Sequence, residues 1–198
     1  MKNKQAELIK NMSDQLLLLN VYLTQVIVLV IAVVVGFFLF DNWTAFIDLF
    51  YWNSWDILVL GAGVGFAIVI YDLVLMKWLP DSYFDDGGIN ERIFRHLSYV
   101  QIFFVTITIA VSEELLFRGV IQHHSNIWVA SLIFALVHYR YMFNPFLLVN
   151  VTVLSFIIGL LFEYTGNLFV TITAHFIIDF LLGVFIKNTY KQNIDKVV

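Results

Sequence analysis

The stretch LLLLNVYLTQVIVLVIAVVVGFFLF, from Leu16 to Phe40, decides the fold class of this chain. It contains no Asp, Glu, Lys or Arg, and it is longer than the roughly 20 apolar residues that a helix needs to cross a bilayer core. The run is too long for the apolar core of a signal peptide, and no small-residue cleavage site follows it. The sequence therefore predicts a membrane-spanning helix that is retained in the mature protein.

Further apolar runs follow this first one, and the run at 127–141 is short. They occupy residues 57–79, 98–122, 127–141, 143–162 and 167–186. These runs are continuous rather than alternating, and in lipid only helices and closed barrels satisfy their backbone hydrogen bonds. We therefore predict an all-α, polytopic membrane bundle of about six transmembrane helices, with residues 1–198 forming one integral membrane domain.

The composition excludes several classes of protein. Hydrophobic residues make up 61% of the 198 residues and charged residues only 13%, whereas soluble domains carry about 25% charged residues. A soluble enzyme is therefore excluded. The chain has no cysteine, which excludes disulfides, thiolate nucleophiles and Cys-ligated metals. The net charge of −4 with 11 Lys and Arg provides no basic stripe, so nucleic acid is not a predicted partner.

The distribution of Lys and Arg predicts the orientation in the membrane. With six spans and the N-terminus inside, every Lys and Arg except Arg118 falls on the inner side, so we predict that both chain termini are inside and that the protein lies in the cell membrane. The inner basic residues are Lys2, Lys4, Lys10, Lys77, Arg92, Arg95, Arg140, Lys187, Lys191 and Lys196.

A small-residue motif in the second predicted span bears on oligomeric state. Gly61 and Gly65 form a GxxxG sequence, a pattern that allows two membrane helices to approach closely. It is compatible with a homodimer.

Several ionisable residues fall within the predicted spans. A charged group at the bilayer centre costs about 2.5–3.5 kcal/mol on insertion scales, so each one is expected to have a partner or a function. These residues are Asp72, Glu113, Glu114, Arg118, His138, His175 and Asp179. For Asp72 we expect a structural role.

Helical spacing separates the two adjacent glutamates. Glu114 and Arg118 are four residues apart and can pair on one helix face. Glu113 points about 100° away from Glu114 and faces elsewhere. His175 and Asp179, also four residues apart, project from one stripe of the last span.

The spacing also places three of these groups at a similar depth. Counted from the predicted outer ends of their spans, Glu113, His138 and His175 lie about 12–16 Å deep. A buried carboxylate can take a proton from water, and an imidazole can orient that water. His175 and Asp179 could then provide hydrogen bonds to an oxyanion. This combination indicates hydrolysis, and the sequence lacks both the HExxH motif of zinc proteases and a GxSG serine nucleophile.

Three short motifs carry a family resemblance. EELLFRG from Glu113, FALVH ending at His138 and HFIID from His175 resemble the ordered motifs EExxxR, FxxxH and HxxxN/D. These motifs belong to the CAAX-protease and bacteriocin-processing family (CPBP, or Abi) of intramembrane proteases. The resemblance covers residues 98–183, and the short chain resembles the small bacterial branch.

The resemblance implies a role for each motif residue. Glu113 would activate water together with His138, and His175 with Asp179 would form the oxyanion site. Glu114 and Arg118 would support the first motif, and Phe134 would pack beside the site. The expected activity is an intramembrane glutamate endopeptidase that acts on membrane-associated peptides or proteins without a cofactor.

Asp179 stands where the eukaryotic branch has Asn, and an ionised Asp would repel an oxyanion unless it is protonated or paired with His175. One alternative is a non-catalytic immunity or scaffold protein on the same fold. The other is a zinc site, for which Glu113, His138, His175 and Asp179 would be the ligands.

Overall fold

The computed structural model describes residues 11–195, with side chains as far as residue 192, and within this range the chain is all helical. We number eight helices in chain order. They are α1 (Asp14–Leu39), α2 (Trp43–Ile47), α3 (Asp56–Trp78), α4 (Ile89–Phe94), α5 (Tyr99–Gln122), α6 (Ile127–Val137), α7 (Pro145–Thr165) and α8 (Leu168–Asp195). The protein is a membrane helical bundle, as the sequence predicts.

Five of the helices, α1, α3, α5, α7 and α8, are long and apolar enough to cross a membrane. The fourth predicted span, 127–141, is shorter than predicted, because α6 has 11 residues and a length of only about 16 Å. The helix stops before His138, and residues Tyr139–Phe143 form a tight 3-10 turn. Pro145 then disfavours helical geometry at Asn144. The apolar sequence therefore continues past the point where the helix ends.

Side-chain caps mark the starts of α1, α5, α6 and α7. Ser13 accepts a hydrogen bond from the backbone of α1, and Asn126 and Asn144 do the same for α6 and α7. Ser98 and Gln101 form a reciprocal capping box at the start of α5. These polar side chains satisfy backbone N–H groups that have no partner within the helix.

The start of α1 and the end of α8 lie at the same end of the bundle. The Asp14 carboxylate pairs with Arg92 at 3.0 Å and with Arg95 at 2.7 Å, just before α5 begins. Lys187 of α8 donates to the carbonyl of Leu97 at 2.6 Å. Placement of this end inside the cell stays a prediction, and four of the lysines on which it depends (Lys2, Lys4, Lys10 and Lys196) lie outside the described residues.

The GxxxG sequence of α3 packs within the chain. A Cβ atom on Gly61 would lie 2.8 Å from the carbonyl oxygen of Val170, and one on Gly65 would lie 2.9 Å from that of Ala174. The two glycines therefore let α3 approach the backbone of α8. Because this face is occupied by α8, it does not support the homodimer that we considered from the sequence.

Candidate active site

The two glutamates lie in α5 where its geometry changes. The helix is α-helical from Tyr99 to Glu114 and π-helical from Leu115 to Gln122. Widened turns of this kind are rare and occur often at functional sites. Both Glu113 and Glu114 are buried. The π-helical segment therefore begins directly after two carboxylates that have little access to solvent.

Glu114 is held by a buried cation on the same helix. The Nε of Arg118 lies 3.3 Å from Oε2 of Glu114, and neither side chain is exposed. Arg118 also donates through Nη2 to the backbone oxygen and the hydroxyl of Ser155 on α7, at 3.1 and 3.0 Å. The predicted pairing of Glu114 with Arg118 is confirmed. The contacts of Arg118 with Ser155 link α5 to α7.

His175 of α8 lies between two carboxylates. Its Nδ1 is 2.8 Å from Oε1 of Glu114, and its Nε2 is 3.5 Å from Oδ2 of Asp179. Spacing within α8 predicts the second contact. The contact with Glu114 joins separate helices, and helical spacing alone could not predict it. Donation from both ring nitrogens requires a protonated imidazole.

His138 occupies the end of α6 rather than the middle of a span. Its Nδ1 lies 2.7 Å from the carbonyl oxygen of Phe134, and its ring stacks on Tyr141 with centroids 5.9 Å apart. Because Nδ1 faces a carbonyl, Nε2 is the nitrogen that can approach a reactant.

Phe134 forms the shared wall of the cluster. Its ring centroid lies 4.5 Å from that of His138 and 6.3 Å from that of His175. The guanidinium carbon of Arg118 lies 5.5 Å from the same centroid. One residue from each motif, Arg118, His138 and His175, therefore lies around one buried aromatic ring.

Glu113 lies outside this ion-pair cluster and contacts α1. Its Oε1 lies 3.2 Å from Nε2 of Gln25, a buried amide. Among the described residues, Glu113 forms no ion pair and no hydrogen bond with His138. Sequence reasoning missed Gln25, although a glutamine inside a long apolar run was a usable signal, because a polar group in lipid needs a partner.

The predicted zinc ligands are not arranged as a metal site. Within residues 11–195 no three His, Asp or Glu side chains form a group that could hold a metal ion. A zinc-ligating imidazole needs a nitrogen directed at the metal at about 2.0–2.1 Å, whereas both nitrogens of His175 face carboxylates. In this arrangement the imidazole of His175 has no nitrogen free to bind zinc.

Comparison with known proteins identifies relatives of this chain. A family model described as "Type II CAAX prenyl endopeptidase Rce1-like" matches residues 95–181, a range that contains all three motifs and excludes Gln25. The chain is 45% identical over 159 residues to a Bacillus subtilis (strain 168) protein named "Uncharacterized protein YpbD", which covers 79% of this chain and 83% of that relative. No solved structure matches the chain.

Proposed function

The chain belongs to the Rce1-like family of type II CAAX prenyl endopeptidases, and from this premise we propose that it is an intramembrane glutamate endopeptidase of the cell membrane. Its substrates are membrane-associated peptides or proteins. The observation that carries the proposal is the difference between the two buried glutamates. Glu114 pairs with Arg118 and His175, whereas Glu113 forms no ion pair among the described residues and accepts a hydrogen bond from the neutral amide of Gln25.

Glu113 is the general base of the proposed reaction. A water molecule between Glu113 and Nε2 of His138 loses a proton to the Glu113 carboxylate while its oxygen bonds to the carbonyl carbon of the scissile peptide. The carbonyl electrons move to oxygen and form a tetrahedral oxyanion. Collapse of this intermediate breaks the C–N bond, and the proton on Glu113 passes to the leaving amine. The Glu113 carboxylate is thereby restored, and the reaction needs no added cofactor.

His175 supplies the hydrogen bond to the oxyanion. Its Nε2 contact with Asp179 is long, at 3.5 Å, and hydrogen bonds weaken beyond about 3.2 Å. A substrate oxygen can therefore replace Asp179 as the acceptor. The Glu114 contact on the opposite nitrogen, at 2.8 Å, holds the ring in place. The positive charge of an imidazole that is protonated on both nitrogens offsets the repulsion that Asp179 exerts on the oxyanion.

A comparison of peptides released by living cells tests this function. The native host carries the wild type, Glu113→Gln or His138→Ala, and the peptides in its membranes and medium are compared by mass spectrometry. We expect at least one processed peptide to be absent in both variants, because each lacks a group that activates water. That peptide would also identify the substrate.

The matched control is Glu163→Gln, the same chemical change at an exposed carboxylate of α7. Its peptides are expected to equal those of the wild type. Identical peptides in all four strains, with all four proteins present in the membrane, would exclude the endopeptidase. A host phenotype that survives Glu113→Gln would then indicate the non-catalytic immunity or scaffold role.

A further inference from the structure

Gln25 is a buried amide in the middle of α1, on the face of that helix that packs into the bundle. It is 6% exposed, whereas large hydrophobic side chains on both sides of it in α1 are mostly exposed. Two polar neighbours of Gln25 in α1, Asn20 and Thr24, bond locally to carbonyls one turn earlier. Gln25 instead bonds across to α5. Burying an amide costs free energy unless it is hydrogen-bonded, so its partners explain its position.

Both ends of the Gln25 amide are used on α5. Nε2 lies 3.2 Å from Oε1 of Glu113, and Oε1 lies 2.6 Å from the hydroxyl of Ser112. The same hydroxyl lies 2.7 Å from the carbonyl oxygen of Thr108. Since a hydroxyl has one proton, Ser112 donates to either Gln25 or Thr108 at any moment.

This arrangement can satisfy Glu113 in both of its protonation states. When Glu113 is a carboxylate, Gln25 donates N–H to it and accepts from Ser112. When Glu113 takes a proton from the water, that proton is on its other oxygen, Oε2, and Oε1 still accepts the Gln25 N–H as the carbonyl oxygen of the acid. The amide therefore keeps one orientation, set by the Ser112 hydroxyl, and the backbone does not have to move.

We infer that Gln25 is a positioning residue, which holds the Glu113 carboxylate against α1 in both protonation states so that its second oxygen faces the water. This inference rests on the proposed function, because it assigns the support of the proposed general base. It adds to the three motifs a contribution from α1, which precedes them in the chain. Ser112, directly before the first motif, sets the orientation of the amide by donating to its oxygen.

A nearly isosteric substitution tests the inference. Gln25→Met keeps the side-chain length and suits a membrane helix, but it removes the N–H donor and the oxygen acceptor. With the peptide identified by the Glu113→Gln comparison as substrate, we expect kcat to fall about tenfold to a hundredfold, the effect of losing one hydrogen bond to a buried charged group. We expect KM to change less than about threefold. Ser112→Ala should lower kcat by less, and Ser112→Thr, which keeps the hydroxyl, should restore it.

A spectroscopic measurement separates this inference from the proposed function. The infrared carboxyl bands of Glu113 are isolated as the difference between wild type and Glu113→Gln, without any substrate. In the Gln25→Met background we expect these bands to shift, because the carboxylate loses its N–H donor. Thr24→Val, which removes a polar group on the exposed side of α1, should leave the bands and kcat unchanged.

Each outcome distinguishes the two ideas. Peptides that are identical in wild type and Glu113→Gln overturn the proposed function, and the positioning role falls with it. If the wild type is active and Gln25→Met leaves both kcat and the infrared bands unchanged, only the role of Gln25 is overturned. A parallel loss of kcat and thermal stability, with unshifted bands, would make Gln25 a packing residue and would also overturn the inference.

Discussion

Glu113 and Glu114 are adjacent and chemically identical, but the two side chains have different surroundings on two sides of α5. On one side, Glu114 is completely buried against Arg118 and His175. On the other side, Glu113 meets a neutral amide. A buried carboxylate paired with cations is part of the architecture, because breaking the pair leaves an uncompensated charge. Glu113 forms no such pair among the described residues.

Removing the cation that pairs with Glu114 should have the largest effect on stability. Arg118→Leu leaves Glu114 buried and eliminates two hydrogen bonds to Ser155. We expect a loss of about 3–5 kcal/mol in the free energy of unfolding, measured by denaturant titration in detergent micelles. Lys77→Leu removes an exposed positive charge from α3 and should have little effect. Equal stability of Arg118→Leu and wild type would show that Glu114 does not depend on this cation.

The second expected effect falls on activity alone. Glu113→Gln should lower the rate of peptide hydrolysis at least about a hundredfold, in the range that general bases contribute. Its free energy of unfolding should stay within about 1 kcal/mol of wild type, because an amide of the same shape can still bond to Gln25. Glu114→Gln should show the opposite pattern, with a larger loss in the free energy of unfolding than Glu113→Gln. Unfolding of Glu113→Gln at the same denaturant concentration as Glu114→Gln would remove the distinction between the two sides.

A smaller effect on hydrolysis is expected at Asp179, which contacts the imidazole of His175. Asp179→Asn keeps an oxygen that can accept from Nε2 of His175 and removes the negative charge near the proposed oxyanion. We expect hydrolysis to stay within about tenfold of wild type, whereas Asp179→Leu, which cannot orient the imidazole, should fall further. Rates measured for both variants on one substrate decide the matter. An inactive Asp179→Asn protein would mean that the charge itself is required.

The smallest effect is expected at Ser155. Ser155→Ala removes one of the two Ser155 oxygens that accept from Arg118, and the backbone oxygen at 3.1 Å remains. The free energy of unfolding should fall by about 1 kcal/mol, with hydrolysis unchanged. A loss as large as that of Arg118→Leu would place most of the anchoring of Arg118 at this hydroxyl.

The sequence predicts well those parts of the site that depend on one helix. Glu114 with Arg118, and His175 with Asp179, are four residues apart and are in contact in the structure. Such pairs follow from the helical repeat. The short α6 was harder to predict, because its apolar run continues through residues that leave the helix after Val137. Hydropathy measures the cost of exposure to water and is insensitive to where the backbone turns.

The sequence alone determined that this protein is a helical membrane bundle and which polar residues it must accommodate, because the cost of polar groups in lipid depends on composition and run length. Only the tertiary structure decided how those groups are shared among helices. It placed Glu114 against His175, Gln25 against Glu113, and the glycines of α3 against α8. Contacts between helices depend on the rotation and depth of each helix in the bundle, and these are fixed by packing of all the helices together.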